Sequence, residues 1–98
     1  MVELIKADSF DSWLGQLRDR QGKARILDRI ERLARGNPGD VKPVGGGISE
    51  MRIHHGPGYR VYFIERGPLV IILLCGGDKS TQKRDIERAK ALAAQWRN

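Results

Sequence analysis

Between Ile48 and Lys79 the chain sets two arginines, a histidine and a tyrosine at even spacing: Arg52 and His54 in one segment, Arg60 and Tyr62 in the next. Side chains of an extended strand alternate between its two faces. Arg52 and His54 therefore share a face with Glu50, and Arg60 and Tyr62 share one with Ile64. The opposite faces carry Met51 and Ile53, then Tyr59, Val61 and Phe63. If those apolar sets mark the core, two guanidiniums, an imidazole and a phenol project from one sheet surface. Such a set can grip a phosphate and a nucleobase. The same pattern also describes the solvated side of a half-buried sheet, and alternation alone leaves both readings open.

These residues need a sheet to hold them, and Gly/Pro punctuation outlines one. Ile48–His54, Tyr59–Ile64 and Leu69–Cys75 are rich in β-branched and aromatic residues and are separated by Gly56-Pro57-Gly58 and Gly67-Pro68. That pattern predicts an antiparallel meander. Leu69–Cys75 is apolar on both faces, which predicts a central strand with helices on both sides. Val2–Lys6 alternates weakly and reads as an N-terminal strand that joins the sheet later.

Phe10, Trp13, Leu14 and Leu17 recur at helical spacing behind Ser9, which is read as the helix cap. Gly22 is expected to interrupt, with a second helix whose stripe is Ala24, Leu27, Ile30, Leu33 and Ala34. Arg25, Arg29 and Arg32 on its polar side are interspersed with Asp28 and Glu31, and read as a solvated face ahead of a dedicated RNA stripe. Gly36–Asp40 ends that helix. Val41 and Val44 fit a short edge strand, where Pro43 is tolerated. Gly45-Gly46-Gly47 lacks the Lys-Ser/Thr that a phosphate loop needs. Ser80 or Thr81 is read as the cap of a last helix striped by Ile86, Ala89, Leu92, Ala93 and Trp96. Lys79 stands between strand and helix, where backbone N–H groups favour anions; it reads equally as a solvated loop lysine.

The 98 residues fit one domain, 1–98, with 18 Lys/Arg against 12 Asp/Glu and a net charge of +6. That balance favours a polyanionic or acidic partner. Cys75 is the single cysteine, so no intrachain disulfide can form, and its apolar strand makes it a core residue. Glu50, His54 and Asp78 are the only candidate metal ligands near the basic face, and no spacing among them selects a divalent ion. No metal or cofactor is expected. Nothing reads as a secretory signal, and Leu69–Cys75 is too short to cross a bilayer as a helix. The expectation is a soluble, cytoplasmic protein without a membrane partner.

A short strand, a helical hairpin, a Pro-Gly turn, Glu50-Met51-Arg52, Gly58-Tyr59-Arg60-Val61-Tyr62-Phe63 and Leu73–Gln82 follow one another over nearly the whole chain. In this order and in these motifs the sequence resembles the RelE/ParE toxin superfamily, and more narrowly its HigB-type, phage Gp49-like branch of addiction-module killer proteins. The resemblance implies an α+β fold, the RelE-like microdomain: a small antiparallel β-sheet with an N-terminal helical hairpin on one face and a C-terminal helix. It implies the toxin of a type II toxin–antitoxin module, held inactive by a cognate helix-turn-helix antitoxin (HigA-like), with operator DNA met only through that antitoxin. It further implies an endoribonuclease that cuts mRNA on the ribosome. The family's catalytic positions fall on Arg60, Arg52 and Lys79, with His54 as a candidate proton carrier; Tyr62, Arg52 and Lys83 are the expected substrate contacts. Relatives place a tyrosine near the start of the final helix, where this chain offers only Asp85.

Metal-free RNA cleavage proceeds by attack of the ribose 2′-OH on the adjacent phosphate, giving a cyclic phosphate and a 5′-hydroxyl. The protein must move two protons and stabilise charge on the phosphoryl oxygens. Arg60 and Lys79 suit the charge, and an imidazole at position 54 suits proton exchange near neutrality. Tyr62 could stack a base or donate its proton. His54 and His55 are adjacent, so an undistorted strand sends them to opposite faces and excludes a two-histidine pair. Two other readings compete: a ParE-like gyrase-inhibiting toxin, and a non-catalytic basic binding module.

Overall fold

The computed structural model describes residues 2–96. In chain order these form β1 (Glu3–Lys6), α1 (Asp8–Gln16), α2 (Arg20–Ala34), β2 (Val41–Gly45), β3 (Ile48–Ile53), β4 (Tyr59–Arg66) and β5 (Val70–Gly77); a 3-10 turn at Lys79–Thr81 then leads into α3 (Gln82–Ala94). The sheet order is β1-β5-β4-β3-β2. The expected α+β arrangement holds. The sheet is antiparallel from β2 to β5, while β1 adds to β5 in parallel, Leu4 opposite Ile71 and Ile5 opposite Ile72. β5 is interior, as its two apolar faces require, with β4 in the middle of the sheet.

Alternation sorts the two faces as expected. Met51, Ile53, Tyr59, Val61, Phe63 and Leu73 meet Phe10 of α1 and Ile26, Ile30 and Leu33 of α2. Ile48, Tyr62, Ile64, Ile72, Leu74 and Cys75 meet Ala89 and Ala93 of α3. A register shift after Tyr62 sets Tyr62 opposite Cys75 but Phe63 opposite Leu73, so the consecutive Leu74 and Cys75 both reach the α3 side.

Four local expectations shift. α1 begins at Asp8, and the Ser9 hydroxyl, inside the helix, donates to the Leu74 carbonyl of β5 at 2.5 Å instead of capping. Gly22 does not interrupt: Asp19 caps α2 by accepting from the Gly22 N–H at 2.9 Å, which places Gly22 in the first helical turn. The Tyr59 ring lies 2.5 Å from where a Cβ on Gly22 would stand, so only glycine fits. In α2 the buried stripe is Ile26, Ile30, Leu33 and Ala34, and Leu27 is 41% exposed. At the other end of the sheet Asp78 takes over the capping role read for Ser80 or Thr81. Its carboxylate accepts from the Ser80 N–H at 2.8 Å, and Thr81 Oγ1 approaches the Asp78 N–H at 3.3 Å in return.

α3 docks through two alanines fully buried against the sheet, with Ile86, Leu92 and Trp96 only partly covered. A methyl group buries little, since each CH₂-sized unit is worth about 0.8 kcal/mol. Polar contacts at the first turn of α3 therefore weigh heavily in fixing its position.

Candidate functional site

β3 and β4 pair so that Glu50 lies opposite Tyr62 and Arg52 opposite Arg60. Two arginines facing each other across a sheet repel, and here a carboxylate sits between them. Glu50 Oε1 accepts from Arg52 Nε at 3.0 Å and from Arg60 Nη1 at 3.2 Å. Oε2 accepts from the Tyr62 hydroxyl at 3.0 Å and from Gln82 Nε2, on the first residue of α3, at 2.9 Å. Glu50 and Tyr62 are fully buried and Arg60 is 9% exposed. Burial alone raises the Glu50 carboxyl. Hydrogen bonds from Gln82, Arg52 and Tyr62 and the charge of Arg60 outweigh it and hold the group below its ordinary value, so it is ionised. Burial first, then the neighbouring Glu50 charge, pushes the Tyr62 phenol far up.

In front of this cluster runs an open groove of about 510 Å³, lined by Lys42, Pro43 and Val44 of β2, Arg52 of β3, and Gln82, Lys83 and Ile86 of α3. Pro43 suits the edge strand because it removes a donor that no neighbour needs. Arg52 keeps 30% of its side chain exposed. Three cations from three elements thus border one cleft over a buried carboxylate, an arrangement that can bind a phosphodiester.

A family model described as "Phage derived protein Gp49-like" matches residues 12–96, a span that contains every residue of this groove. The chain belongs to the Gp49-like family. That family is associated with toxin–antitoxin modules. The chain is also 54% identical over 94 residues to an uncharacterized protein of Haemophilus influenzae (strain ATCC 51907 / DSM 11121 / KW20 / Rd), covering 96% of this chain and 95% of that protein.

Of the site residues expected from sequence, this Gp49-like structure brings Arg52 and Lys83 together in the groove, with Arg60 behind them through Glu50. Tyr62 is placed otherwise than expected. It has no exposed face on which a base could stack, being packed in the cluster with Ala89 and Ala93 of α3 and donating its hydroxyl to Glu50. Lys79 is exposed on the 3-10 turn and is not part of the groove lining; its N–H reaches the Pro57 carbonyl at 3.4 Å and its Cβ lies against Gly58. His54 follows the end of β3, where strand alternation stops applying. Its Nε2 lies 2.6 Å from Asp40 Oδ2, in a cleft shared with Arg25, Asp28, Arg29 and Arg32 of α2. His55 turns instead toward Asp19, 3.5 Å away, in the bend that follows β3.

From sequence Glu50 was weighed only as a metal ligand, and Gln82 and Lys42 were not singled out as site residues of the Gp49-like fold. A signal existed for the first: a carboxylate two residues from an arginine on a strand face that a helix will cover. Asp85, near the start of α3, is buried over Gly77 and accepts from Thr81 Oγ1 at 2.5 Å. Burial pushes the Cys75 thiol up to about 11, so it is inert, in keeping with a core role. Among the described residues no group of three or more His, Cys, Asp or Glu side chains could hold a metal ion. Among them, too, no helix is long and apolar enough to cross a membrane.

Proposed function

We propose that this Gp49-like chain is the toxin of a type II toxin–antitoxin module and acts as a ribosome-dependent mRNA endonuclease, cutting by 2′-OH transesterification. The observation that carries this reading is the convergence of Lys42, Arg52 and Lys83 on one groove, backed by the buried Glu50–Arg60 pair. The three cations hold the scissile phosphodiester and offset the charge that builds on its oxygens. Arg60 adds positive charge from beneath, and Lys79 extends the basic surface along the message. The ribosome supplies the alignment of 2′-OH and phosphorus, so free RNA is a poor substrate. A helix-turn-helix, HigA-like antitoxin is the partner that silences the toxin, and operator DNA is reached only through it.

Induced expression followed by mapping of mRNA 5′ ends tests the reading. Cleavage inside translated codons is expected, and Arg52→Ala should lower it about 100-fold or more, the usual cost of one lost charge-stabilising donor. Intact mRNA with a DNA-damage response would transfer the case to gyrase inhibition. Unchanged growth on expression would leave only a binding module.

A further inference from the structure

We propose that Glu50 is the positioning residue of this groove: its carboxylate orients the Arg52 guanidinium so that the two terminal nitrogens face a phosphodiester. The proposal deepens the endonuclease reading and rests on it for its kinetic consequence.

Arginine carries its five N–H donors in a rigid planar fork. Arg52 spends Nε on Glu50 Oε1, and its terminal nitrogens have no acceptor among the described residues. Holding a guanidinium by its inner nitrogen leaves the outer edge, the one that pairs bidentately with phosphate, open to the groove that Arg52 lines. The same Oε1 takes Arg60 Nη1, so both guanidiniums are tied to one point. Oε2 is held by Tyr62 and Gln82, so the carboxylate cannot swing. Gln82 belongs to α3 and Arg52 to β3, so one side chain sets the register between the two walls of the groove. Neutralising Arg60 alone would require neither the phenol nor the amide. Arg60 Nε, buried and without an acceptor among the described residues, marks a donor left over in the same cluster.

A negative charge this near a phosphate weakens its binding, whereas a fixed fork speeds its reaction. The two effects separate in Glu50→Gln, which keeps the shape and removes the charge. The full chain, Glu50→Gln and Tyr62→Phe are compared by three measurements: melting temperature, the Arg52 Nε–Hε NMR signal, and cleavage of ribosome-bound mRNA. Binding of an all-2′-deoxy analogue of the RNA, which cannot be cut, is added as a fourth.

Glu50→Gln is expected to broaden the Arg52 signal and to lower kcat about 10- to 100-fold, as loss of a supporting shell does, with KM unchanged or smaller. Tyr62→Phe, which removes one hydroxyl and keeps the ring, should act in the same direction by a few-fold. A sharp Arg52 signal and unaltered kcat in Glu50→Gln overturn the proposal. So does a rise in kcat/KM, which would make Glu50 a mere repulsive charge, or a loss of activity that only follows the loss of folded protein. If Glu50→Gln does not fold, an unaltered signal and kcat in Tyr62→Phe overturn it. If the wild type cuts no RNA, the endonuclease reading fails by itself. The deoxy analogue then decides: the proposal stands if it shifts the Arg52 signal in wild type but not in Glu50→Gln, and falls if both respond alike.

Discussion

Truncating Glu50 to alanine leaves Arg52 and Arg60 facing each other across β3 and β4 with nothing between them, and Arg60 cannot escape to water. Breaking a buried pair in this way costs about 3–5 kcal/mol, to be read as a lower denaturant midpoint for Glu50→Ala. The acid limb carries the same signature. The Glu50 carboxyl titrates below its ordinary 4.5 in the fold, so its contribution is complete above that pH and drains away as pH falls through the folded value. Asp19, held down first by the Gly22 N–H, and Asp40, held down first by His54, add in the same direction. Glu50→Gln should therefore flatten the loss of stability below about pH 4.5 without abolishing it, as pH-dependent melting would reveal. Strand alternation told which face Glu50, Arg52, Arg60 and Tyr62 occupy. It could not tell that α3 would close over Glu50 and Tyr62 and leave Arg52 open, because cover is a tertiary fact.

The elements meet where glycine removes a Cβ. On β5, a Cβ at Gly76 would stand 2.3 Å from the Trp13 ring of α1, and one at Gly77 would stand 1.8 Å from Asp85 Oδ2 of α3. Gly77→Ala should push α3 off the sheet and cost about 1–3 kcal/mol. Gly15→Ala is the control: nothing lies within 4 Å of that exposed site in α1, so it should gain about 0.5–1 kcal/mol by helix propensity. Thermal denaturation of both variants gives the signs. From sequence Gly76-Gly77 reads only as a strand end, and its packing role appears once Trp13 and Asp85 are seen above it. The stripe read for α2 from Ala24 and Leu27 missed Ile26, since Ala24-Leu27-Ile30 and Ile26-Ile30-Leu33 both keep helical spacing. Arg29 helps settle the phase by donating to the carbonyls of Arg52, Pro38 and Asp40, which turns Ile26 inward and Leu27 out.

At the scale of the whole molecule, two clefts each gather three basic side chains. Lys42, Arg52 and Lys83 border the groove, while Arg25, Arg29 and Arg32 lie with Asp28 and His54 along α2. On α2 the Arg32–Asp28 pair at 2.9 Å and the Arg35–Glu31 pair at 2.7 Å partly cancel, in line with a solvated face. If RNA lies in the groove, Lys42→Ala should reduce the salt slope of single-stranded RNA binding by about 0.7, the share of one phosphate contact. Arg25→Ala should leave it unchanged, and filter binding over a salt series separates the two. The hairpin, the meander and the last helix were legible because each has its own period and its own punctuation. The parallel seat of β1 was not, since four weakly alternating residues carry no mark of the distant strand they join.

That seat has a bearing on how the groove comes into being. β1 is made well before β5, the neighbour it pairs with, and Gln82 and Lys83 follow later still. The cleft therefore cannot exist on a nascent polypeptide until synthesis has passed Lys83, whatever the earlier elements have already formed.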